Sequence, residues 1–497
     1  MYQATFSTQG LTHQVRSAYI SDPTWRVYPT VIRLEPTEID VAAIQGDAFV
    51  LFVTLDVAGF GRTCLPVDGD GAGLSPGNFT LAVELLRSLV ARCHRLAATT
   101  STPAWQAIAG DVTRAVEQAL PGQCSQLLSA AIVAAEELRY HQAATAMSQR
   151  SSMPIISATL FGERRDDYAI GVGPDWPVDA PPDFTRAPRS RELALDLISG
   201  TTLPNFWRYL ELQKGDVRWD RLDPILEQAQ AKQLRIKSFA LYWGGIGGCP
   251  PWLRDLSYAK QLTAIEQWVT LIVNRYRGAV HCWETVNEMH NWGFGNPFAW
   301  SHAQLIEVTR LVNELVGALD SGTPRLINHC CIWGDYVQSR GGSTWSNAPW
   351  AADWTPLAYL DAVCGEGIPF EAIGLQYYNP GRDLYTCHAT LEKFAAFGKE
   401  LQITEIGTPS APARLASVET GQTDPMSGWR GPWTTERQAL WLERFYTIMG
   451  AHPQVSAFNY WDFDDTQAFI SQAGLVDREY QPKPGYWTLQ ALAQQWR

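Results

Sequence analysis

The sequence lacks two features that mark large classes of binding protein. It has no basic tract: 39 lysines and arginines stand against 51 aspartates and glutamates, for a net charge of −12. It also has no run of about 18 consecutive apolar residues, which a membrane-spanning helix requires. An acidic chain is a poor ligand for nucleic acids and anionic membranes, so we expect neither as a partner.

Paired cysteine motifs are also missing. The nine cysteines form an odd, irregularly spaced set without a CxxC pair, which predicts mostly free thiols and mildly favours a reducing compartment. The first residues, MYQATFSTQG, have neither the charged start nor the apolar stretch of a signal peptide. We therefore expect a cytoplasmic protein, or a secreted one if a signal has been removed. The sequence carries no signal for an oligomeric state.

Tryptophan is abundant, with 21 residues among 497. Residues 1–170 contain two of them, and residues 171–497 contain nineteen. Indole rings stack on the apolar faces of sugars, but they also fill protein cores. The uneven distribution indicates two parts with different functions and leaves both uses of tryptophan open.

The N-terminal part predicts a small domain of strands and helices. Residues 26–67 are rich in Val, Ile, Thr and Phe between turn residues, as in strands. Three segments with apolar residues at three- and four-residue spacing predict helices, at 80–96, 103–120 and 122–150. We expect this domain to span residues 1–153. It is either a carbohydrate-binding module or a structural or interaction domain.

From residue 154 to 497, short apolar strands alternate about eight times with amphipathic helices. This pattern predicts an α/β fold, a (β/α)8 (TIM) barrel. Its first strand is either 154–162 or 168–173. An open doubly wound sheet would need a glycine-rich phosphate turn after its first strand, and none occurs. With no metal-ligand spacing either, we expect neither a metal nor another cofactor.

Chemistry in such a barrel takes place at the carboxyl ends of the strands. Two glutamates end apolar strands there: Glu288 on the fourth strand and Glu405 on the seventh. Glycoside hydrolysis needs two such carboxyl groups, one protonated and one ionised. Other polar or aromatic residues at predicted strand ends are Trp243, Asn287, Asn328, Gln376, Tyr377, Tyr378, Thr404 and Trp461.

Six segments, in order, resemble glycoside hydrolase family 10, the xylanase family. AVHCWETVNEMHNW resembles its fourth-strand motif Trp-Asp-Val-Val-Asn-Glu, and LQITEIG its seventh-strand motif Ile-Thr-Glu-Leu-Asp. The other matching segments are WRYLELQKGDVRWDRLDPILEQAQ, FALYWGGIGGCPPWL, EAIGLQYY, and NYWDF with KPGYW. The resemblance covers about residues 196–490 and implies a retaining barrel glycosidase of polysaccharide degradation.

The resemblance also implies roles for single residues. Glu288 would be the acid/base and Glu405 the nucleophile, with Asn287 donating to the sugar 2-hydroxyl. Gln376 and Tyr378 would orient Glu405. Strand alternation points Tyr377 to the opposite side and so favours Tyr378, with Tyr377 as the alternative. Further sugar-contacting candidates are Trp461 beneath the reacting sugar, Trp243, Trp252 and Trp292 near strand ends, and Asn205.

Four positions depart from the family pattern. Phe206 and Leu203 stand where the family has Lys and Asn, Gly244 replaces the His after Trp243, and Tyr378 replaces another His. We expect a β-1,4-xylan or a xylo-oligosaccharide as the carbohydrate substrate. The alternatives are another β-glycan or a short glycoside cleaved by the same mechanism, or a sugar-binding barrel without catalysis.

Overall fold

The computed structural model describes residues 2–28, 30–160, 187–245, 248–290, 296–330, 332–334, 354–378, 381–412, 414–416, 423–425, 428–466, 468 and 470–496. The N-terminal part consists of two small sheets, with strand orders β3-β4-β1-β7 and β2-β5-β6, and three helices. The strands are β1 (Tyr2–Ser7), β2 (Gln14–Ser21), β3 (Val31–Leu34), β4 (Glu38–Ile44), β5 (Val50–Val57), β6 (Gly61–Val67) and β7 (Asn78–Thr80). The helices are α1 (Leu81–Ala97), α2 (Pro103–Glu117) and α3 (Pro121–Ser148).

The three helices lie where their apolar spacing predicts them. Two begin with a proline, Pro103 and Pro121, whose fixed φ and missing N–H suit the first turn of a helix. The strands extend further than expected, because β1 and β2 precede residue 26. Apolar and polar residues do alternate in β1 (YQATFS), but the pattern covers only six residues.

The following parallel strands form one sheet with the order β10-β9-β8-β18-β15-β14-β13-β12-β11. The two ends of this order, β10 and β11, are consecutive pieces of one chain segment. Both hydrogen-bond to the β12 segment, through Ser238 N–H to Cys282 O at 3.0 Å and Leu241 N–H to Glu284 O at 2.8 Å. The described strands therefore close into the predicted (β/α)8 barrel with eight strand positions. They are β8 (Ile155–Ala158), β9 (Gly200–Leu203), β10 (Arg235–Ser238), β11 (Tyr242–Trp243), β12 (Trp283–Asn287), β13 (Arg325–His329), β14 (Ala372–Tyr378), β15 (Glu400–Gly407) and β18 (Val455–Tyr460).

Helices follow the barrel strands and cover them. They are α4 (Pro188–Leu197), α5 (Trp207–Leu210), α6 (Asp223–Ala231), α7 (Tyr258–Tyr276), α8 (His302–Leu319), α9 (Pro356–Gly365), α10 (Leu384–Ala395), α11 (Thr435–Gly450) and α12 (Pro484–Gln495). A short hairpin, β16 (Arg414–Ala416) with β17 (Thr423–Pro425), lies between β15 and α11. None of the helices in the described ranges is both long enough and apolar enough to cross a membrane.

Two details refine the predicted strands. The first barrel strand comes from the 154–162 candidate, while the 168–173 candidate lies outside the described residues. The third strand, expected as one run over 235–243, is divided after Ser238. One hydrophobic cluster runs from the N-terminal sheets and helices into the barrel. The eight cysteines within the described ranges are thiols rather than disulfides.

Candidate active site

The two predicted carboxyl groups lie at the same end of the barrel. Glu288 directly follows β12, and Glu405 lies near the end of β15. Each residue is only 6% exposed. Between their strands lie β13 and β14, and side chains from both of these strands contact the glutamates. The site is therefore built from the carboxyl ends of four neighbouring strands.

Glu288 is held by two nitrogen donors. Nε1 of Trp243 donates to Oε2 at 3.0 Å, and Nε2 of Gln376 donates to Oε1 at 2.9 Å. The same amide nitrogen lies 3.3 Å from Oδ1 of Asn287, so Gln376 bonds to Glu288 and not, as expected, to Glu405. Glu288 has a φ of 60°, a left-handed conformation that costs a residue with a side chain about 1–2 kcal/mol. This turn brings two successive side chains to the same glutamine.

The environment of Glu288 favours its protonated form. Burial raises the pKa of Glu288 to about 7, although the hydrogen bonds from Gln376 and Trp243 work in the opposite direction. A carboxylic acid with such a pKa can carry a proton near neutral pH and give it to a leaving oxygen. Glu288 therefore has the protonation behaviour of a general acid.

Glu405 accepts hydrogen bonds from two other strands. The hydroxyl of Tyr378 donates to Oε2, and Nδ2 of Asn328 donates to Oε1 at 3.1 Å. The pairing of β15 with both of its neighbours is irregular next to Glu405. A bulge of this kind lets adjacent residues turn to the same side. Accordingly, Thr404 also reaches Asn328, with its Oγ1 2.6 Å from the amide oxygen.

Asn328 connects Glu405 to a charged pair deeper in the barrel. Its Nδ2 also donates to Oε1 of Glu284 at 3.2 Å, and Glu284 forms an ion pair with Lys237. Oγ1 of Thr404 donates to the amide oxygen of Asn328, which leaves the amide nitrogen to donate to the two glutamates. Gly374 provides the space: a Cβ there would lie 2.5 Å from Oδ1 of Asn328. This buried network fixes one side of Glu405.

The electrostatics couple the three carboxyl groups. Burial raises the pKa of Glu405 well above its ordinary value, and the charges of Glu288 and Glu284 raise it further. The hydrogen bond from Tyr378 and the charge of Lys237 lower it. Burial also raises the pKa of Glu284, against the attraction of Lys237. The site therefore disfavours simultaneous ionisation of its carboxyl groups.

Aromatic side chains flank Glu288. The ring of Phe239 lies 6.0 Å from Trp243 and 5.7 Å from Trp461. Phe206 contacts Phe239 at 4.1 Å and Trp243 at 6.2 Å between ring centroids. We call Phe206, Phe239, Trp243 and Trp461 the aromatic wall. The aromatic wall presents apolar ring faces next to Glu288 and few groups that could form hydrogen bonds with sugar hydroxyls.

The other predicted residues within the described ranges contact groups other than the carboxyl pair. Trp252 has its ring against Trp207 at 5.7 Å and beneath Lys214. Asn205 is 2% exposed and its Nδ2 donates to a backbone carbonyl at 2.9 Å. Trp292 lies outside the described residues. Tyr377 points away from Glu405, and its hydroxyl donates to Cys387 O at 3.1 Å.

Two charged residues of the network were not among the predicted site residues. Glu284 lies four residues before Glu288, and Lys237 lies six before Trp243. Alternation along a strand places residues an even number apart on the same face. Applied to the third and fourth strands, this rule would have directed both side chains into the barrel.

A closed barrel of parallel strands with two buried carboxyl groups at its mouth is the architecture of the barrel glycoside hydrolases. The sequence profile of Glycosyl hydrolase family 10 matches residues 202–302 and 355–492. The chain belongs to this family and is a glycoside hydrolase, as its ordered motifs predict.

Named relatives are distant. Endo-1,4-beta-xylanase B of Thermotoga neapolitana is 21% identical over 331 residues, which are 59% of this chain and 86% of the relative. Endo-1,4-beta-xylanase 3 of Hypocrea jecorina is 25% identical over 209 residues, 41% of this chain and 56% of the relative. The crystal structure of native xylanase 10B from Thermotoga maritima superposes with a TM-score of 0.50 at 16% identity. It covers 71% of this chain and 97% of its own, and it supports the fold.

Proposed function

We propose that this protein is a retaining β-glycosidase that cleaves β-1,4-xylan or xylo-oligosaccharides by double displacement. The observation that carries the proposal is the different bonding of two buried carboxyl groups. Glu288 has its pKa raised to about 7 by burial, while Glu405 accepts from Tyr378 and Asn328. The names of the two relatives, both endo-1,4-beta-xylanases, support xylan as the substrate.

The first step forms a covalent intermediate. A carboxylate oxygen of Glu405 bonds to the anomeric carbon as the glycosidic C–O bond breaks, and Glu288 gives its proton to the departing oxygen. In the second step, water attacks the anomeric carbon and loses a proton to Glu288, which releases Glu405 as a carboxylate. Each carboxyl group returns to its starting state.

The coupled electrostatics are consistent with these roles. After burial, the charge of Glu288 is the largest contribution that raises the pKa of Glu405. A proton on Glu288 removes that contribution, whereas Tyr378 and Lys237 continue to favour an ionised Glu405. A site with one proton on Glu288 and one charge on Glu405 is therefore self-consistent.

A different substrate for the same mechanism is the second candidate. One residue of the aromatic wall, Phe206, stands at a position where the family pattern has a lysine. Phenylalanine cannot bond a sugar hydroxyl, so the specificity of this subsite differs from the family pattern. This observation favours another β-glycan or a short glycoside over long xylan.

The test is an activity screen on aryl β-xylosides, aryl β-glucosides, aryl β-cellobiosides, xylan and β-glucans. The first product, followed by proton NMR, should be the β-anomer, and a crystal structure should place the two carboxyl groups about 5–5.5 Å apart. An α-anomer, or a separation of about 8 Å, would indicate inversion instead.

Glu405→Ala should abolish nearly all turnover. Full activity of this variant would end the assignment of the nucleophile. Binding of these sugars by a wild-type protein that hydrolyses none of them would favour the non-catalytic sugar-binding barrel.

A further inference from the structure

One buried carboxylate of the N-terminal part is shared between two loops at the barrel mouth. Glu136 lies in the middle of α3 and is fully buried. Its Oε1 accepts from the backbone N–H of Leu384 at 2.7 Å and from Nε1 of Trp429 at 2.9 Å. Its Oε2 accepts from Nε of Arg430 at 2.7 Å, in an ion pair. A single side chain therefore joins the loop after β14 to the loop after β15.

The beginning of β6 contacts the same two loops. Oγ1 of Thr63 accepts from the backbone N–H of Asp383 at 3.0 Å. Gly61 approaches the loop after β15 so closely that an added Cβ would lie 2.0 Å from the carbonyl oxygen of Gly428. Only glycine fits at such an approach. Two separate segments of the N-terminal part thus hold both loops.

The loop after β14 leads directly from a candidate catalytic contact. Tyr378, the donor to Glu405, ends β14 only five residues before Asp383. On the opposite side of β14, the hydroxyl of Tyr377 donates to the carbonyl of Cys387 in α10 at 3.1 Å. A displaced start of α10 would therefore move the end of β14, where Tyr378 lies.

We propose that Glu136 is a positioning residue for the catalytic pair: by joining the two loops, it holds β14 and β15 in the arrangement in which Tyr378 reaches Glu405. This inference rests on the function proposed above. It makes the N-terminal part a built-in component of the catalytic domain, in place of a separable carbohydrate-binding module.

The physical reason is the cost of buried donors without acceptors. Leu384 is the first residue of α10, so its N–H has no partner within the helix. Without Glu136, this N–H and the indole N–H of Trp429 would both lose their acceptor. A buried unpaired donor costs about 1–3 kcal/mol, so the loops are expected to move until the donors find water or other partners.

The test compares Glu136→Ala and Glu136→Gln with Glu137→Gln as a matched control. Glu137 accepts from the same Arg430 at 2.7 Å and also pairs with Arg444 of α11 at 3.5 Å. Glutamine at position 136 keeps an oxygen for both N–H groups but loses the ion pair with Arg430 and the hydrogen bond from its Nε. Each full-length variant is measured for thermal unfolding, for the pH dependence of kcat/KM on an activated aryl β-glycoside, and for amide hydrogen exchange in residues 381–390.

We expect Glu136→Ala, at a temperature where it is folded, to lower kcat/KM by about 10- to 100-fold. The acidic limb of its pH profile should move upward, because Tyr378 would hold Glu405 less firmly. Exchange in residues 381–390 should be faster. Glu136→Gln should recover part of the activity, and Glu137→Gln should stay within about twofold of the wild type.

A purely structural role would change the unfolding temperature alone. A folded Glu136→Ala with wild-type kcat/KM and pH profile would refute the inference. If the alanine variant does not fold, the same wild-type behaviour in Glu136→Gln would refute it. A wild-type protein inactive on all β-glycosides would instead refute the proposed function. Hydrogen exchange then decides by itself whether Glu136 orders the loops, and unchanged exchange overturns that claim.

Discussion

Replacing Glu288 by alanine should slow hydrolysis most where the leaving oxygen needs a proton. General acid catalysis contributes about 10²–10⁴-fold, which corresponds to about 3–5 kcal/mol of activation free energy. We expect a loss of kcat/KM in this range for xylo-oligosaccharides, whose leaving group is a sugar alkoxide. Dinitrophenolate departs without a proton, so the corresponding aryl glycoside should lose far less.

The assay is kcat/KM across aryl glycosides of increasing leaving-group pKa, at several pH values. The wild type should lose activity as the pH rises through about 7, because Glu288 is then deprotonated and its pKa is raised to that value by burial. This alkaline limb should be absent from the Glu288→Ala variant with the activated substrate.

Trp243→Phe is the matched control for this pH effect. Nε1 of Trp243 donates to Glu288 at 3.0 Å and lowers its pKa, so its removal should shift the alkaline limb to higher pH while the acid remains in place. Equal losses for activated and unactivated substrates in Glu288→Ala would refute the acid role. So would an alkaline limb that persists in that variant.

Two further predictions concern the neighbours of the pair. Tyr378→Phe removes a donor to Glu405. Because a hydrogen bond to a charged group is worth about 1.5–3 kcal/mol, kcat/KM should fall about 10- to 100-fold and the acidic limb should shift upward; an unchanged limb would contradict this. Lys237→Met leaves Glu284 as an unpaired buried charge, which should lower the free energy of unfolding by about 3–5 kcal/mol in urea denaturation. Combining it with Glu284→Gln should recover much of that loss, and a purely additive result would argue against the pair.

The barrel follows from the sequence because each of its elements has a strong local signal. Strands such as β13 and β15 are almost entirely buried, as parallel strands covered on both faces are, and polar residues such as Asn328 and Glu405 stand among their apolar ones. The small N-terminal strands gave weaker signals. In β1, buried residues alternate with half-buried ones only from Ala4 to Ser7, too short a stretch to establish a period.

The candidate active site was only partly predictable, because some of its contacts depend on how distant segments pair and not on local sequence. Strand-end position and residue type pointed to Glu288 and Glu405, since these depend on local sequence. Contacts such as that of Asn328 with Glu405 depend on the pairing of two strands, and the irregular register near Glu405 has no sequence signature. The role of Glu136 depends on how α3 packs against the barrel and is invisible in a local pattern.

The number of charges in the barrel interior accounts for its protonation state. Of the three carboxyl groups, Glu284 is the one in an ion pair within the described residues, and its partner is Lys237. Within that same part of the chain, Glu288 and Glu405 then remain as two buried acids without a counter-ion of their own. Burial disfavours a double negative charge, so the pair retains one proton near neutral pH. Donors from Tyr378 and Asn328 favour the charge on Glu405. By lowering the pKa of Glu284 against the effect of burial, Lys237 reduces the competition of Glu284 for the proton that the proposed general acid requires.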